Sequence, residues 1–332
     1  MSIRYKRLLV TGGAGFIGSS FIRYALRRMF GCEILINLDC LTYAADLSYL
    51  QEIESDPRYV FVCGDIRDEE LVGRLCADNQ IDAIVHFAAE SHVDRSILGP
   101  KAFLETNVAG TVALLEVLRK YPHIHFHHVS TDEVYGSLSD EGFFAENSPY
   151  HPNSPYAASK AASDHFVRAY GHTYGLSYTL SHCTNNYGPC QHQEKLIPRM
   201  IDKLYSKEPL PIYGNGKHIR DWIFVDDHSE AVWEIIQGGK AGETYDIGGR
   251  CERTNLELVG FLIELFSAIH GEDAAALRQL VVFIADRPGH DFRCAIDSGK
   301  IRKELRWTPR HDLVSGLRKT LHWYHSRRKV AV

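Results

Sequence analysis

The sequence predicts an α/β protein with a doubly wound parallel sheet and a smaller carboxyl-terminal α/β lobe. Up to Cys183, apolar strands alternate with helices, and most of the strands end in small or polar residues. This alternation is typical of a parallel sheet that carries ligands at the carboxyl ends of its strands. Beyond Cys183, prolines and glycines interrupt the alternation. We therefore predict one domain at 1–182 plus about 223–250, and a second lobe at about 183–222 plus 251–332.

The composition is that of an ordinary globular protein. The 332 residues are 45% hydrophobic and 24% charged, with a net charge of −5, so no basic field favours nucleic acid or an anionic membrane. No apolar run of spanning length and no signal-peptide pattern is present. Eight cysteines are scattered without a Cys-x-x-Cys pair, which is typical of reduced thiols. We expect a cytoplasmic protein.

The first strand and helix are joined by a glycine-rich turn. Strand 7–10 runs into Gly12, Gly15 and Gly18, and apolar residues follow at helical spacing at 22, 25, 26 and 29. Glycines so placed permit a tight turn and bring the backbone and the helix N-terminus to a pyrophosphate. The alternative is a turn that is merely tight. The flanking strand and helix favour a dinucleotide site.

An acidic residue ends the second strand, predicted at 33–38. Asp39 lies about twenty residues beyond the glycines, where a carboxylate accepts hydrogen bonds from a ribose and repels a 2′-phosphate. Cys40, Leu41 and Thr42 follow, with no Arg or Lys for that phosphate. NAD is therefore favoured over NADP. The alternative is a surface aspartate at a strand end.

The later strands of the first domain also end in small or polar residues. The third ends near Asp65, which could meet an adenine, and the fourth at Ala88 and Ala89, which would let a cofactor lie against the backbone. The remaining predicted elements of the sheet are strands 59–63, 82–88, 124–129, 177–183 and 243–248, with helices 68–78, 100–120, 156–174 and 223–237.

A histidine-rich run precedes the fifth strand end. His123, His125 and His127 would share one face of a strand, which could indicate a metal site. No Cys, Asp or Glu falls within the run, and strand spacing alone does not assemble a closed site. We interpret these residues as partly exposed or packed strand histidines and predict no metal.

The fifth strand turns abruptly polar. Thr131, Asp132 and Glu133 follow it, and Tyr156 and Lys160 lie four residues apart, on one face of a helix. A nearby ammonium would lower a phenol pKa and make the phenolate a usable general base. The alternatives are a solvated acidic turn and a chance Tyr-x-x-x-Lys pattern.

Together these motifs resemble the extended short-chain dehydrogenase/reductase superfamily, whose sheet is a Rossmann fold. The runs at 88–96, 130–136, 185–189 and 286–291 narrow the resemblance to the dTDP-glucose 4,6-dehydratases, over essentially the whole chain. The resemblance implies a lyase that uses NAD and a nucleoside-diphosphate glucose, most of all dTDP-glucose, in deoxysugar synthesis. It also implies a homodimer that pairs the helices at 100–120 and 156–174.

The resemblance also implies a role for each catalytic residue. Tyr156, with Lys160 as activator, removes the C4 hydroxyl proton while hydride leaves C4, so that a C4 ketone makes C5–H acidic. Glu133 is then the C5 base, Asp132 the acid to the C6 hydroxyl, and Thr131 a hydrogen-bond partner at C4. One carboxyl group must be ionised and the other protonated, which mutual repulsion arranges.

The binding residues are implied in the same way. For the cofactor they are Gly12, Gly15, Phe16, Ile17, Gly18, Asp39, Leu41, Thr42, Asp65, Ile66, Ala88, Ala89, Ser91, Thr106, Tyr156, Lys160 and Asn186. For the substrate they are His92, Thr131, Asp132, Glu133, Asn185, Lys195, Leu196, Pro211, Ile212, Tyr213, Arg220, Asn255, Arg287 and His290. Three of the latter are cations suited to phosphates, namely Lys195, Arg220 and Arg287.

Two departures and two other functions stay open at this point. Residues 190–193 read Cys-Gln-His-Gln where the family usually has Tyr-Gln-Phe-Pro, and 292–294 read Phe-Arg-Cys where Arg-Arg-Tyr is usual, which leaves UDP-glucose open as substrate. Asp132 argues against a 4-epimerase or decarboxylase, and Tyr156 with Lys160 argues against a non-catalytic NAD-binding regulator. We interpret Asn185-Asn186 as the start of a loop and residues 327–329 as a solvated tail.

Overall fold

A seven-stranded parallel sheet forms the larger part of the computed structural model, which describes residues 4–28 and 32–330. Its strands are β1 Arg7–Thr11, β2 Ile34–Asp39, β3 Tyr59–Cys63, β4 Ala83–His86, β5 His125–Thr131, β6 Tyr178–Cys183 and β10 Thr244–Ile247. The strand order is β10-β6-β5-β4-β1-β2-β3, and every pair is parallel. The predicted doubly wound sheet is confirmed.

Helices cover both faces of this sheet. They are α1 Phe16–Arg28, α2 Glu69–Asp78, α3 Val93–Leu98, α4 Pro100–Phe103, α5 Gly110–Lys120, α6 Pro155–Tyr174, α8 Val225–Gly238 and α11 Gly299–Leu305. Leu8 and Val10 of β1 lie in one core with side chains of α1 and α8, whereas Leu9 lies in another with side chains of α2 and α5. Because successive strand residues point to opposite faces, both faces of β1 are buried. Met29, predicted on the apolar face of α1, lies outside the described residues.

The remaining elements build smaller sheets. Their strands are β7 Asn185–Tyr187, β8 Leu210–Tyr213, β9 Ile219–Phe224, β11 Glu252–Thr254, β12 Val281–Ile284 and β13 Arg293–Cys294, and their helices are α7 Leu196–Ser206, α9 Asn255–His270, α10 Ala274–Arg278 and α12 Leu313–Val330. β9 pairs with β7, β11 and β13, while β8 pairs with β12. Side chains of α7, α9 and α12 share one core with β8 and β9.

Two local predictions in this region are wrong. Asn185-Asn186 begins strand β7 rather than a loop, because these residues pair in register with Trp222 and Ile223 of β9. The terminal helix α12 continues to Val330, so the segment 327–329 is helical rather than a tail. Arg327 and Arg328 are exposed on this helix, as the prediction of a solvated segment expected.

The division into two lobes stays a prediction. β10 joins the large sheet, as the sequence predicted for residues 243–248. Ile301 of α11 and Trp307, assigned from sequence to the smaller lobe, pack in the core that contains Leu8 and Val10.

The helix predicted at 100–120 contains a wider turn. α4 is followed by a π-helical segment, Leu104–Ala109, which leads into α5. Within this segment the buried Asn107 side chain donates to the Glu90 carbonyl (3.0 Å) and to Ser159 Oγ (2.8 Å), and it accepts from the Glu90 amide (2.8 Å). These bonds tie the end of β4 to α6. Single π turns of this kind are frequent at functional sites.

The strand histidines are packed residues. His125, His127 and His128 are at most 2% exposed, and the first two bond to the Thr179 hydroxyl on the neighbouring strand (3.0 and 2.9 Å). His123, by contrast, is exposed and lies before β5, so it is not on the strand face that the sequence predicted for it. Among residues 4–28 and 32–330, no helix is long and apolar enough to cross a membrane.

Candidate active site

One cavity of about 410 Å³ runs along the carboxyl ends of β1 to β6. The strand order reverses between β2 and β4 on the two sides of β1, so the cavity lies at the switch point where open α/β sheets bind ligands. Sixteen of the seventeen predicted cofactor residues line it; Leu41 is the exception. The cavity also contains all five predicted catalytic residues.

The glycine turn leaves no room for side chains. Gly12 has φ +72°, and a Cβ there would lie 2.5 Å from the Ala88 backbone nitrogen. A Cβ on Gly18 would lie 2.3 Å from the Gly12 carbonyl oxygen. The close packing holds the first turn of α1 against the cavity, where its unpaired N–H groups can bind an anion.

Asp39 is held in place by two backbone amides. Its Oδ2 accepts from the Ala14 N–H (2.9 Å) and its Oδ1 from the Leu41 N–H (2.8 Å), while burial raises its pKa. Leu41 has φ +54° and its side chain is exposed. Leu41 does not line the cavity, and its backbone amide orients Asp39; its place among the cofactor residues stays a prediction.

Arg67 is a cavity cation that the sequence analysis missed. It lies two residues beyond Asp65 and binds that carboxylate through Nε and Nη2, with the shortest contact 2.6 Å. This pairing lowers the pKa of Asp65 and compensates the Arg67 charge. A cation close to Asp65 was detectable from the Asp-x-Arg spacing after β3.

The two adjacent carboxyl groups begin a 3₁₀ turn, Asp132–Tyr135, directly after β5. Thr131 Oγ1 donates to Asp132 Oδ1 and accepts from the Glu133 N–H, both at 3.3 Å. Asp132 is 2% exposed, and its Oδ2 has no hydrogen-bond partner within the described part of the chain. Such an atom is costly to bury as a charge.

The electrostatics of the pair favour one proton on Asp132. Burial and the Glu133 charge raise the pKa of Asp132 well above its usual range. Burial also raises the pKa of Glu133, but there Arg287, Arg220 and Lys195 act in the opposite direction. The predicted split of the two carboxyl groups into acid and base is thus supported by their surroundings.

Tyr156 and Lys160 lie on α6 beside this pair. Lys160 Nζ donates to the Val129 carbonyl oxygen (2.9 Å). Burial and the Glu133 charge raise the pKa of Tyr156 well above its usual range, and the Thr131 hydroxyl lowers it. Lys160 is not among the groups that chiefly shift the pKa of Tyr156, so the lowering of that pKa by Lys160 stays a prediction.

Unpaired polar atoms mark the end of the cavity nearest Lys160. Thr184 Oγ1, Asn186 Oδ1 and Gln191 Oε1 are buried there and lack partners among the described residues. Gln191 Nε2 donates to the Asn186 carbonyl (2.9 Å), which fixes the amide orientation. Buried acceptors require donors, and the carboxamide of a nicotinamide supplies N–H groups. The residues present therefore fit a dinucleotide. Thr184 and Gln191 were missed, although Thr184 directly follows β6.

The predicted phosphate-binding cations converge near Glu133. Lys195 lines the cavity with Asn185, and its Nζ donates to the Ser91 carbonyl (2.8 Å). Arg220 is 7% exposed and donates to the Ile219 and Asp291 carbonyls, both at 2.8 Å. Arg287 lies 3.7 Å from Asp94. All three lower the pKa of Glu133.

The other predicted substrate residues lie outside the cavity. Tyr213 donates to Asp94 (3.0 Å), which places it beside Arg287. His92 caps α3, and the Asn255 N–H donates to the His218 carbonyl. The set outside the cavity consists of His92, Leu196, Pro211, Ile212, Tyr213, Arg220, Asn255, Arg287 and His290.

His218, Asp286 and His290 bring three possible metal ligands within 4.8 Å. The imidazole rings are stacked, with centroids 3.7 Å apart and an angle of 17° between planes. Lone pairs in nearly parallel planes do not converge on one ion. The Asp286 oxygens already bond His290 (2.6 Å) and His218 (3.1 Å). His218, Asp286 and His290 therefore form a hydrogen-bonded cluster.

The two departures from the family pattern differ in position. In the first, the departing residue His192 lines the cavity. In the second, Phe292 is exposed and Cys294 is buried, and neither lines the cavity. Only the first departure can therefore act directly on a ligand in this cavity.

Comparisons with known proteins agree with this architecture. The family described as GDP-mannose 4,6 dehydratase matches residues 9–320. The dTDP-glucose 4,6-dehydratase of Xanthomonas campestris pv. campestris (strain B100) is 50% identical over 326 residues, covering 95% of this chain and 92% of that protein. The enzyme of the same name from Haemophilus influenzae is 49% identical over 330 residues, covering 96% and 97%.

Solved structures give the same picture. DesIV, a dTDP-glucose 4,6-dehydratase from Streptomyces venezuelae with NAD and TDP bound, superposes with a TM-score of 0.91 at 49% identity, covering 98% of each chain. A UDP-glucose 4-epimerase from Thermotoga maritima superposes with a TM-score of 0.86 at 27% identity, covering 97% of this chain and 99% of the other.

Proposed function

The chain belongs to the GDP-mannose 4,6 dehydratase family, and within it to the dTDP-glucose 4,6-dehydratases, and on this premise we propose how its residues act. It is an NAD-dependent lyase that converts dTDP-glucose to the 4-keto-6-deoxy sugar. The fold is that of the extended short-chain dehydrogenase/reductases.

The reaction uses a temporary oxidation. NAD, when bound in the cavity, would accept hydride from C4 and return it to C6, so the net change is the loss of one water. Tyr156, beside Lys160, takes the C4 hydroxyl proton, and the resulting C4 ketone acidifies C5–H. Thr131 holds the oxygen at C4. The glycine turn and Asp39 bind the pyrophosphate and the ribose of the cofactor.

Elimination needs a base and an acid side by side. Glu133 removes the C5 proton, and Asp132 gives its proton to the C6 hydroxyl, which departs as water. C6 then receives hydride, and C5 takes its proton back from Glu133, while the proton that Tyr156 took from the C4 hydroxyl balances the one that Asp132 gave up. The observation that carries this assignment is the contrast between the two neighbours: Asp132 is buried beside the Glu133 charge with an Oδ2 that has no partner among the described residues, whereas Arg287, Arg220 and Lys195 oppose the rise of the Glu133 pKa.

The nucleotide of the substrate is assigned to the cation group near Glu133. Lys195 and Arg287 bind the diphosphate, and the Arg220 guanidinium, held by backbone carbonyls, contributes charge. Tyr213 and His290 lie on the same side, where the base and sugar would contact β8 and the loop at 286–291.

One assay tests the proposed function. The protein is incubated with dTDP-glucose, and the product mass is followed together with the absorbance of reduced nicotinamide. We expect the loss of one water with no net NADH, and slower turnover of UDP-glucose as the control. An unchanged mass with inverted C4 stereochemistry would indicate an epimerase, and no reaction with any nucleotide sugar would contradict enzymatic activity.

We also propose a homodimer in the cytoplasm. Leu98, Leu104 and Phe166 are large apolar side chains that are 89%, 59% and 41% exposed on the helices between 93 and 174. Covering them with a second copy would bury apolar area that a monomer leaves in water. Eight free cysteines fit a reducing compartment.

A further inference from the structure

A buried group of charges lies beside the catalytic strand β5, and none of its three members lines the cavity. His182, fully buried on β6, is placed between two carboxylates from different elements. Its Nε2 lies 3.1 Å from Asp164 Oδ2 on α6, and its Nδ1 lies 2.9 Å from Asp246 Oδ1 on β10. The proposed mechanism uses none of these three residues.

The geometry accommodates one extra proton in this group, whose imidazole is also contacted by the Tyr135 hydroxyl at Nδ1 (2.9 Å) and by the Tyr150 hydroxyl at Nε2 (2.7 Å). A neutral imidazole has one N–H and one acceptor nitrogen, and an ionised carboxylate only accepts. Two short contacts from one imidazole to two carboxylates are therefore satisfied when His182 is an imidazolium. The Tyr135 hydroxyl donates to Asp246 (3.0 Å), and the Tyr150 hydroxyl donates to Asp164 (2.9 Å). These two tyrosines complete the enclosure of the three charged residues.

Asp164 connects this group to the catalytic residues. Its Oδ2 accepts from the hydroxyl of Ser130 (2.9 Å), which directly precedes Thr131. Its Oδ1 lies 3.2 Å from His128 Nε2. It is four residues beyond Lys160 on α6, so the carboxylate and the ammonium share one helix face. Lys160 is buried, where an ammonium without a counter-charge tends to lose its proton.

We propose that Asp164, kept ionised by His182, is the counter-ion that keeps Lys160 in the ammonium form beside Tyr156. Asp164 is thus a positioning residue that acts through Lys160, and His182 acts through Asp164. This inference rests on the proposed roles of Tyr156 and Lys160 for its consequence, but the charge pairing itself can be measured without turnover.

The charges around the group agree with this role. Burial lowers the pKa of Lys160, and the charge of Asp164 is the largest effect that opposes it. The His128 and His182 contacts hold the pKa of Asp164 well below its usual range against the cost of burial. Although burial opposes it, the two carboxylates raise the pKa of His182 to about 9.

The remaining facing groups lie farther out. Glu146 accepts from the Asp246 N–H (3.1 Å), the charge of Lys300 lowers the pKa of Asp246, and Arg168 lowers that of Tyr150. None of them stands among the groups that shift the pKa of Lys160. Asp164 is therefore the charge to test.

The direct test measures the pKa of Lys160 by lysine ¹³Cε/¹⁵Nζ NMR, with Lys160→Met used for assignment. Asp164→Asn should lower this pKa by about one unit or more. Tyr150→Phe removes a hydrogen bond from Asp164 without removing charge, and should leave the Lys160 pKa unchanged. An unshifted Lys160 pKa in a folded Asp164→Asn protein, or an equal shift in Tyr150→Phe, would overturn the proposal.

A second pair of variants tests the proposal if the Asp164→Asn protein does not fold. His182→Gln removes the cation, lets Asp164 take up a proton and should lower the Lys160 pKa, whereas His182→Arg keeps a cation and should not. Equal pKa values in this pair would contradict the proposal. In the dehydratase assay, the alkaline limb of kcat should move to lower pH with the Lys160 pKa. A shifted pKa in a protein without dehydratase activity would reject the proposed function and leave the charge pairing intact.

Discussion

At the scale of single residues, the function depends on two adjacent carboxyl groups that differ in protonation. Asp132 and Glu133 are neighbours in sequence, yet only Glu133 lies in the combined field of Arg287, Arg220 and Lys195. Burial and the distance to cations are sufficient to divide the roles of acid and base between two ordinary carboxyl groups.

Asp132→Asn should lower the activity of the protein and raise its thermal stability. Since burial raises the pKa of Asp132, its stabilising contribution is present below the unfolded pKa and is lost as pH rises toward the folded pKa. At neutral pH the carboxyl group therefore costs stability that an amide does not. We expect Tm to rise by about 2–4 °C and kcat to fall roughly 10²- to 10⁴-fold, measured by calorimetry and product mass. A lower Tm would contradict the burial argument.

The acid limb of kcat should report Glu133. The reaction needs Glu133 ionised, and its pKa is raised, so kcat should fall with decreasing pH while still above the ordinary glutamate range near about 4.3. Arg287→Ala removes the largest opposing charge and should move this limb to higher pH. Lys217→Ala, an exposed cation nearby in sequence to Arg220, serves as control and should leave it in place. If the wild type, Arg287→Ala and Lys217→Ala gave the same pH profile of kcat, the acid limb would not report the ionisation of Glu133.

The sequence predicted the identity of the reactive residues better than their electrostatics. Asp132, Glu133, Tyr156 and Lys160 follow strand ends or helical spacing, which are local features. Spacing along the sequence does not determine side-chain and backbone geometry. Two features that depend on this geometry are the hydrogen bond from Lys160 to the Val129 carbonyl and the positive φ of Leu41.

At the scale of elements, the glycine turn is the feature that the sequence defined most completely. Gly12, Gly15 and Gly18 were predicted to hold a tight strand-to-helix turn, and the distances from Gly18 to the Gly12 carbonyl leave no space for a methyl group. By contrast, the pairing of β7 with β9 joins residues more than thirty positions apart, and no local pattern around Asn185 indicated it.

Gly18→Ala should weaken both the fold and the cofactor site. A Cβ at this position would lie 2.3 Å from backbone oxygen, so the turn must shift. We expect a loss of about 1–3 kcal/mol in the free energy of unfolding and a higher Kd for NAD, measured by calorimetry and titration. Gly73→Ala, in a helix with nothing within 4 Å of its Cβ, should leave NAD affinity unchanged. Normal NAD affinity in Gly18→Ala would argue against the turn as the pyrophosphate site.

At the scale of the whole molecule, the parallel sheet brings distant polar segments to one edge. Residues from the ends of β1 to β6 meet in one cavity, which the alternation of strands and helices predicted. The sequence did not predict which substrate residues lie inside that cavity, because the segments at 211–220 and 286–290 are positioned by the smaller sheets. Their contacts with Asp94 and Asp291 join parts of the chain that are far apart in sequence.

The proposed homodimer is tested by charging its apolar face. Leu104→Glu places a carboxylate on the helices expected to pair, where burial without a partner is costly. We expect sedimentation of a monomer, against a dimer for the wild type, with Leu256→Glu on α9 as an exposed control. A dimer that persists in Leu104→Glu at low protein concentration would exclude this face.

The most direct test of the central claim is a single turnover of dTDP-glucose by Glu133→Gln. The amide keeps the shape of the side chain but cannot remove the C5 proton. Oxidation at C4 should therefore proceed, with reduced nicotinamide accumulating on the protein, while no dehydrated product appears by mass. Normal turnover by this variant would contradict the account.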